Sequence, residues 1–210
     1  NHSSDILGKG LVGYWKFDQN LKDDSQFKNN MFYNSPVASM AFAPDGRLFY
    51  TEKNSGNIRI MVNNTTLDRP FASIPNIHVD WEQGLLGLAI DIKFKDNHFV
   101  YVYYNYKDTH TGKIYAKIVR FTDDHNKAKD KVVILDKIPA SKGFHTGGAL
   151  AFNKVDDKLY VTVGDATQNV ECGNLPNSTG KICPAQDRKS LLGKVLRINR
   201  DGSIPNDKDR

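Results

Sequence analysis

The chain has 210 residues, of which 39% are hydrophobic and 25% charged, a balance that suits a packed soluble core and excludes general disorder. Its net charge is +5, yet the densest basic stretch, Lys127-Ala128-Lys129-Asp130-Lys131, is flanked by Asp123, Asp124 and Asp136. This reads as a solvated mixed-charge face, and nucleic acid is not expected as a partner. The longest apolar runs, Leu85 to Ile90 and Phe99 to Tyr104, fall far short of the ~18 residues of a membrane helix, so no membrane span is expected.

The sequence begins at Asn1, and no basic start followed by an apolar segment is present, so any signal peptide is expected to have been removed already. Gly8-Lys-Gly10-Leu-Val-Gly13 fits a dinucleotide-binding pattern literally, but Tyr14-Trp-Lys-Phe17 follows. That is strand chemistry, whereas the pyrophosphate site needs a helix N-terminus. Residues 1–34, with Gly10-Leu-Val-Gly-Tyr-Trp-Lys-Phe-Asp18 followed by Asn20-Leu-Lys-Asp-Asp-Ser25, resemble the opening strand and turn of a concanavalin-like, laminin-G-type jelly roll. About 25 residues match, too few for that sandwich, and the plain alternative is a segment that adds a strand to the next domain.

From residue 35 onward, short strand-like runs recur between Gly, Asn and Asp turns. They are Arg47 to Glu52, Asn57 to Val62, Phe99 to Tyr106, Ile114 to Thr122, Lys131 to Asp136, Lys158 to Gly164 and Lys194 to Asn199. Ile58, Ile60 and Val62 alternate with Arg59, as do Leu159, Val161 and Val163 with Tyr160 and Thr162. Phe99 to Tyr104 is apolar on both faces, as a strand between two packed sheets is. Helical periodicity is nearly absent, and the predicted class is all-β.

An internal repeat sharpens this reading. Ser39-Met-Ala-Phe-Ala-Pro-Asp-Gly-Arg-Leu-Phe-Tyr-Thr-Glu52 is echoed by Gly148-Ala-Leu-Ala-Phe-Asn-Lys-Val-Asp-Asp-Lys-Leu-Tyr-Val-Thr162, with Gly87-Leu-Ala-Ile-Asp-Ile-Lys-Phe94 as a weaker middle copy. The spacing suits four-stranded propeller blades of about 40 to 50 residues that carry loop insertions. Residues 35–210 then hold about three blades, fewer than closed propellers use.

Cys172 and Cys183 enclose a segment rich in Gly, Asn, Pro, Ser and Thr. No paired-His or CxxC spacing for a metal accompanies them, so a structural disulfide is expected, worth about 3 kcal/mol in the chain-entropy account. Glycosylation sequons at Asn1, Asn63, Asn64 and Asn177 agree with an extracellular or cell-surface, secreted protein.

Four motifs follow one another in order. They are Trp81-Glu-Gln-Gly-Leu-Leu-Gly-Leu-Ala-Ile-Asp-Ile-Lys-Phe94; Ile138-Pro-Ala-Ser141 leading to His145-Thr-Gly-Gly-Ala-Leu-Ala-Phe152; Leu159-Tyr-Val-Thr-Val-Gly-Asp165; and Ser190-Leu-Leu-Gly-Lys-Val-Leu-Arg-Ile-Asn199 with Asp201-Gly-Ser-Ile-Pro205. Together they resemble the glucose/sorbosone dehydrogenase family of quinoproteins over about residues 36 to 207. The resemblance implies a six-bladed propeller that oxidises aldose sugars by hydride transfer to pyrroloquinoline quinone (PQQ), with Ca²⁺ as a second cofactor.

The resemblance also assigns roles. His145 matches the family's catalytic base, and an imidazole suits that task because it titrates near neutral pH. Asp165 matches the aspartate that holds the other ring nitrogen and fixes the tautomer. Glu82 and Gln83 match a mouth position where the family places polar groups near sugar or cofactor, with Glu82 a departure from the amide of some members. The calcium ligands and the cations that clamp the quinone would fall beyond Arg210, so the chain alone is expected to be inactive. It is expected to self-associate or to meet a partner supplying the missing blades. The rival reading is a secreted propeller used for binding or assembly without redox chemistry.

Overall fold

A computed structural model describes residues 35–140, 143–166 and 183–206. The N-terminal segment with its jelly-roll expectation, Ser141 and Cys172 lie outside the described residues.

Among the described residues, twelve strands form three antiparallel sheets, accompanied by one short helix. The first holds β1 (Val37–Phe42), β2 (Leu48–Glu52), β3 (Asn57–Val62) and β4 (Thr65–Thr66) in that order, with β5 (Ala72–Ser73) also pairing β3. The second runs β6 (Leu85–Ile90), β7 (Phe99–Lys107), β8 (Ile114–Asp124) and β9 (Lys127–Pro139), with α1 (Phe94–Asn97) between its first two strands. The third holds β10 (Gly147–Asn153), β11 (Lys158–Val163) and β12 (Lys194–Ile198). Each sheet is a meander from its first strand outward, and the first strands stand side by side, β1 against β6 and β6 against β10. These are three consecutive blades of a β-propeller. The expected four strands per blade hold in the second; the first has five and the third three among the described residues.

The repeat has a physical counterpart at the inner strands. Each inner hairpin carries a register shift at the same place, between Val37 and Ser39, Leu85 and Gly87, and Gly147 and Leu150. A bulge leaves a backbone donor without its ladder partner. In the first blade the hydroxyl of Thr51 accepts that N–H from Ser39 at 3.0 Å, and in the third Thr162 accepts it from Ala149 at 3.0 Å. The second blade has Tyr103 opposite Gly87, and its hydroxyl instead crosses to the third blade, donating to the Thr146 carbonyl at 3.1 Å. Burial pushes this phenol well above its usual range, so it stays a neutral donor. Gly87 is needed here because any Cβ would overlap the Gly148 carbonyl of the neighbouring inner strand.

Strand alternation divides the apolar side chains between two cores. Val100, Val102 and Tyr104 of β7 face the first sheet, packing with Phe49, Ile58, Ile60, Phe71 and Phe94. Phe49 meets Phe71 and Phe94 edge-on at 5.3 and 6.1 Å between centroids. Tyr101 and Tyr103 face the other way, into Ile118, Ile138, Leu159, Val161 and Ile198. Thus β7 is buried on both faces, as its continuous apolar run predicts. Each large side chain so enclosed contributes about 1.5–3 kcal/mol, which makes the interfaces between blades the main source of stability.

Polar clamps fasten the blade edges. Arg200, just past β12, donates from Nε to the buried Asp91 at 2.8 Å and from Nη1 to Asp157 at 2.6 Å, and Lys93 reaches Asp157 at 2.9 Å. Arg47 pairs with Asp45 and with Asp123 of β8, each at 2.7 Å. Residues of neighbouring blades are thereby held in one register.

Candidate active site

The inner ends of β10 and β11 bring two of the sequence-predicted residues together. His145 precedes β10 and Asp165 follows β11. The two strands pair with Gly147 opposite Val163, so their flanking residues meet at one end of the hairpin. There the His145 Nδ1 lies 2.9 Å from Asp165 Oδ1. With the carboxylate as acceptor, Nδ1 carries the proton and Nε2 keeps its lone pair. The imidazole is 54% exposed and the carboxylate only 19%, so the dyad presents its basic edge outward and keeps its anion behind.

The backbone beneath the ring is held on both sides. His145 has φ +52°, a left-handed conformation that a side chain adopts only when its surroundings compensate. Its N–H donates to Glu82 Oε2 at 2.7 Å, and its carbonyl accepts the Ala166 N–H at 3.1 Å. Gly164 packs directly on that carbonyl. Gly147 and Gly148, also at positive φ, then turn the chain into β10.

The second blade contributes the other wall. Glu82 donates its own N–H to the Gly143 carbonyl at 3.0 Å, so the loops at 80–84 and 143–146 are laced in both directions. Lys53 of the first blade donates from Nζ to the Trp81 carbonyl at 2.5 Å, and its carbonyl accepts the Leu85 N–H at 2.9 Å. Glu82 therefore joins the dyad, through the histidine's backbone. Gln83 does not: it is 1% exposed, and its amide donates to the Ala140 carbonyl, tying the loop to the end of β9.

Sequence reasoning missed two residues of this region. Trp81 is 73% exposed and Phe144 37%, and their rings meet at 5.2 Å with a tilt of 32°. The signal was present, since one aromatic directly precedes Glu82 and the other directly precedes His145.

Among the described residues no group of three or more His, Cys, Asp or Glu side chains converges as a metal site. No step is assigned to calcium, whose 6 to 8 oxygen ligands the family resemblance puts mostly beyond Arg210. For a quinone the described residues offer the exposed imidazole edge of the dyad.

The sequence profile of the Glucose / Sorbosone dehydrogenase family matches residues 33–209. The chain is 34% identical over 191 residues to quinoprotein glucose dehydrogenase B of Acinetobacter calcoaceticus, covering 83% of this chain and 39% of that protein. Among solved structures, an oxidoreductase of Thermus thermophilus described as a glucose dehydrogenase superposes with a TM-score of 0.68 at 30% identity, over 83% of this chain and 47% of that one. The PQQ-bound aldose sugar dehydrogenase of Streptomyces coelicolor gives 0.65 at 27% identity, over 81% and 46%. The chain thus spans less than half the length of each of these relatives.

Proposed function

The chain belongs to the glucose/sorbosone dehydrogenase family, and from that premise we propose that it carries the proton-accepting part of an aldose dehydrogenase site. The observation that supports this most is the His145–Asp165 contact at 2.9 Å with the far side of the imidazole exposed. His145 Nε2 takes the proton of the sugar's anomeric hydroxyl while the C1 hydrogen leaves as hydride, so that the aldose becomes a lactone. PQQ, when bound, supplies the hydride acceptor. Asp165 holds the Nδ1 proton, which fixes the tautomer, and stabilises the imidazolium formed as the proton arrives. Glu82 holds the backbone from which the ring projects.

The secreted setting belongs to the same reading, supported by the sequons and by the cysteine pair Cys172 and Cys183. The chain by itself is proposed to be inactive, because it spans less than half the length of its relatives and supplies the base without the later blades. Self-association through the apolar faces of its outer blades follows from the exposure of Met40 and Phe42 on β1 and Val195 on β12.

The test is quinone-dependent dye reduction with a panel of aldoses, comparing the 210-residue chain with the protein expressed from its complete coding sequence. Turnover by the complete product only is the expected result. Turnover by the 210-residue chain as a monomer would overturn its inactivity, and its absence from the complete product would favour the binding or assembly reading.

A further inference from the structure

We infer that Trp81 and Phe144 form the floor of an aldopyranose subsite, stacking on the C–H face of the sugar ring whose anomeric hydroxyl reaches His145. The inference rests on the dehydrogenase reading and adds the ring-binding surface to it.

Three observations carry it. First, the pair is exposed where burial would be the ordinary fate of a tryptophan: Trp81 at 73% is the most open aromatic side chain among the described large hydrophobics. Second, the exposure is enforced. Trp81 has φ +28°, an unfavourable conformation for a bulky residue, and its carbonyl is fixed by Lys53 Nζ. A Cβ at Gly143 would come within 3.3 Å of Trp81 Cδ1 and 3.0 Å of Asp80 Oδ2, so the small residue there lets the indole lie across the loop. Strain kept at an exposed side chain points to a use for that side chain. Third, the pair is coupled to the dyad: Trp81 is bonded to Glu82 and Phe144 to His145, and the Glu82 carboxylate holds the His145 N–H at 2.7 Å. Placing the indole and placing the imidazole are one structural event.

The chemistry selects the ligand class. A pyranose with equatorial hydroxyls has axial C–H groups on both faces, so its faces are apolar while its rim is polar. An aromatic surface accepts such a face by dispersion and by the attraction of polarised C–H groups to the ring's negative face. The rim hydroxyls, including the anomeric one, remain free to meet an imidazole beside the floor. Aldoses whose axial hydroxyls break that face should bind less well, so the subsite favours gluco-configured sugars.

The experiment uses the protein expressed from its complete coding sequence, with saturation-transfer NMR and titration calorimetry read as glucose is added. Saturable binding is expected, reduced at least about tenfold in affinity in Trp81→Ala, and largely restored in Trp81→Phe. In turnover assays Trp81→Ala should raise KM at least as strongly while kcat changes little, the mark of lost ring binding. Circular dichroism would establish that each variant is folded, and Phe144→Leu offers a second, milder probe of the same floor. Unchanged glucose affinity in both Trp81→Ala and Phe144→Leu overturns the subsite whether or not the protein turns over. Trp81-dependent glucose binding without turnover by the wild type supports the subsite and instead counts against the dehydrogenase reading.

Discussion

The backbone of Gly164 lies against the carbonyl of His145 so closely that a methyl group on the glycine would overlap that oxygen. Because backbone, not a flexible side chain, is in the way, the contact cannot be relieved locally. Gly164→Ala should cost about 1–3 kcal/mol of stability and displace the imidazole from Asp165. Urea unfolding would read the first effect, and the loss of turnover in still-folded protein the second.

Asp165→Asn tests the tautomer. An amide can place its NH₂ against Nδ1, which leaves the proton on Nε2 and removes the base from the sugar side. A fall in kcat of roughly 100-fold or more is expected, with little change in KM. Equal losses in kcat for Asp165→Asn and Asp165→Glu would show instead that any change at this position merely disrupts the loop.

Glu82 should act through its acceptor oxygen and not through its charge. Glu82→Gln keeps an oxygen for the His145 N–H and is expected to retain most activity, whereas Glu82→Ala frees the left-handed backbone and should lower kcat by about tenfold, in line with loss of one hydrogen bond. Turnover measured for the two variants at saturating sugar separates these cases. If Gln is as damaging as Ala, the carboxylate's charge is what the site needs.

Much of the architecture was legible from local pattern. The alternation at Asn57 to Val62 and Lys158 to Gly164, and the two-faced apolar run at Phe99, correspond to β3, β11 and β7. The charged run around Lys131 hid the length of β9, which extends over Lys127–Pro139, because an outer strand exposed along most of its length carries little apolar signal. β1, β6 and β10 were visible only through the repeat. The pairing of His145 with Asp165 followed from resemblance, since their separation along the chain is closed only by the β10–β11 hairpin. The Glu82–His145 bond joins two blades, and no local pattern announces it. Gln83 illustrates the same limit: a polar residue beside a site residue was expected at the mouth, yet the loop turns it inward to meet Ala140.

The Arg200 clamp makes a prediction about pH. Hydrogen bonds from Arg200, together with Lys93, hold the Asp157 carboxyl well below the usual carboxylate range. Its folded-state value is therefore lower than its unfolded one, so its stabilisation is present above about pH 4 and is lost as the pH falls further. The urea midpoint should drop from about pH 5 towards about pH 3, and the drop should be shallower in Asp157→Asn. Arg200→Ala, which also strips the buried Asp91 of its cation, should cost about 3 kcal/mol near neutral pH. A midpoint within error of wild type in Arg200→Ala would mean that the clamp contributes nothing.

The role of His145 as the base is read from kcat for an aldose with the protein expressed from its complete coding sequence, as wild type and as His145→Ala. General-base catalysis contributes roughly 10²- to 10⁴-fold, and a loss of that size is expected in folded His145→Ala. Undiminished turnover in folded His145→Ala would contradict it.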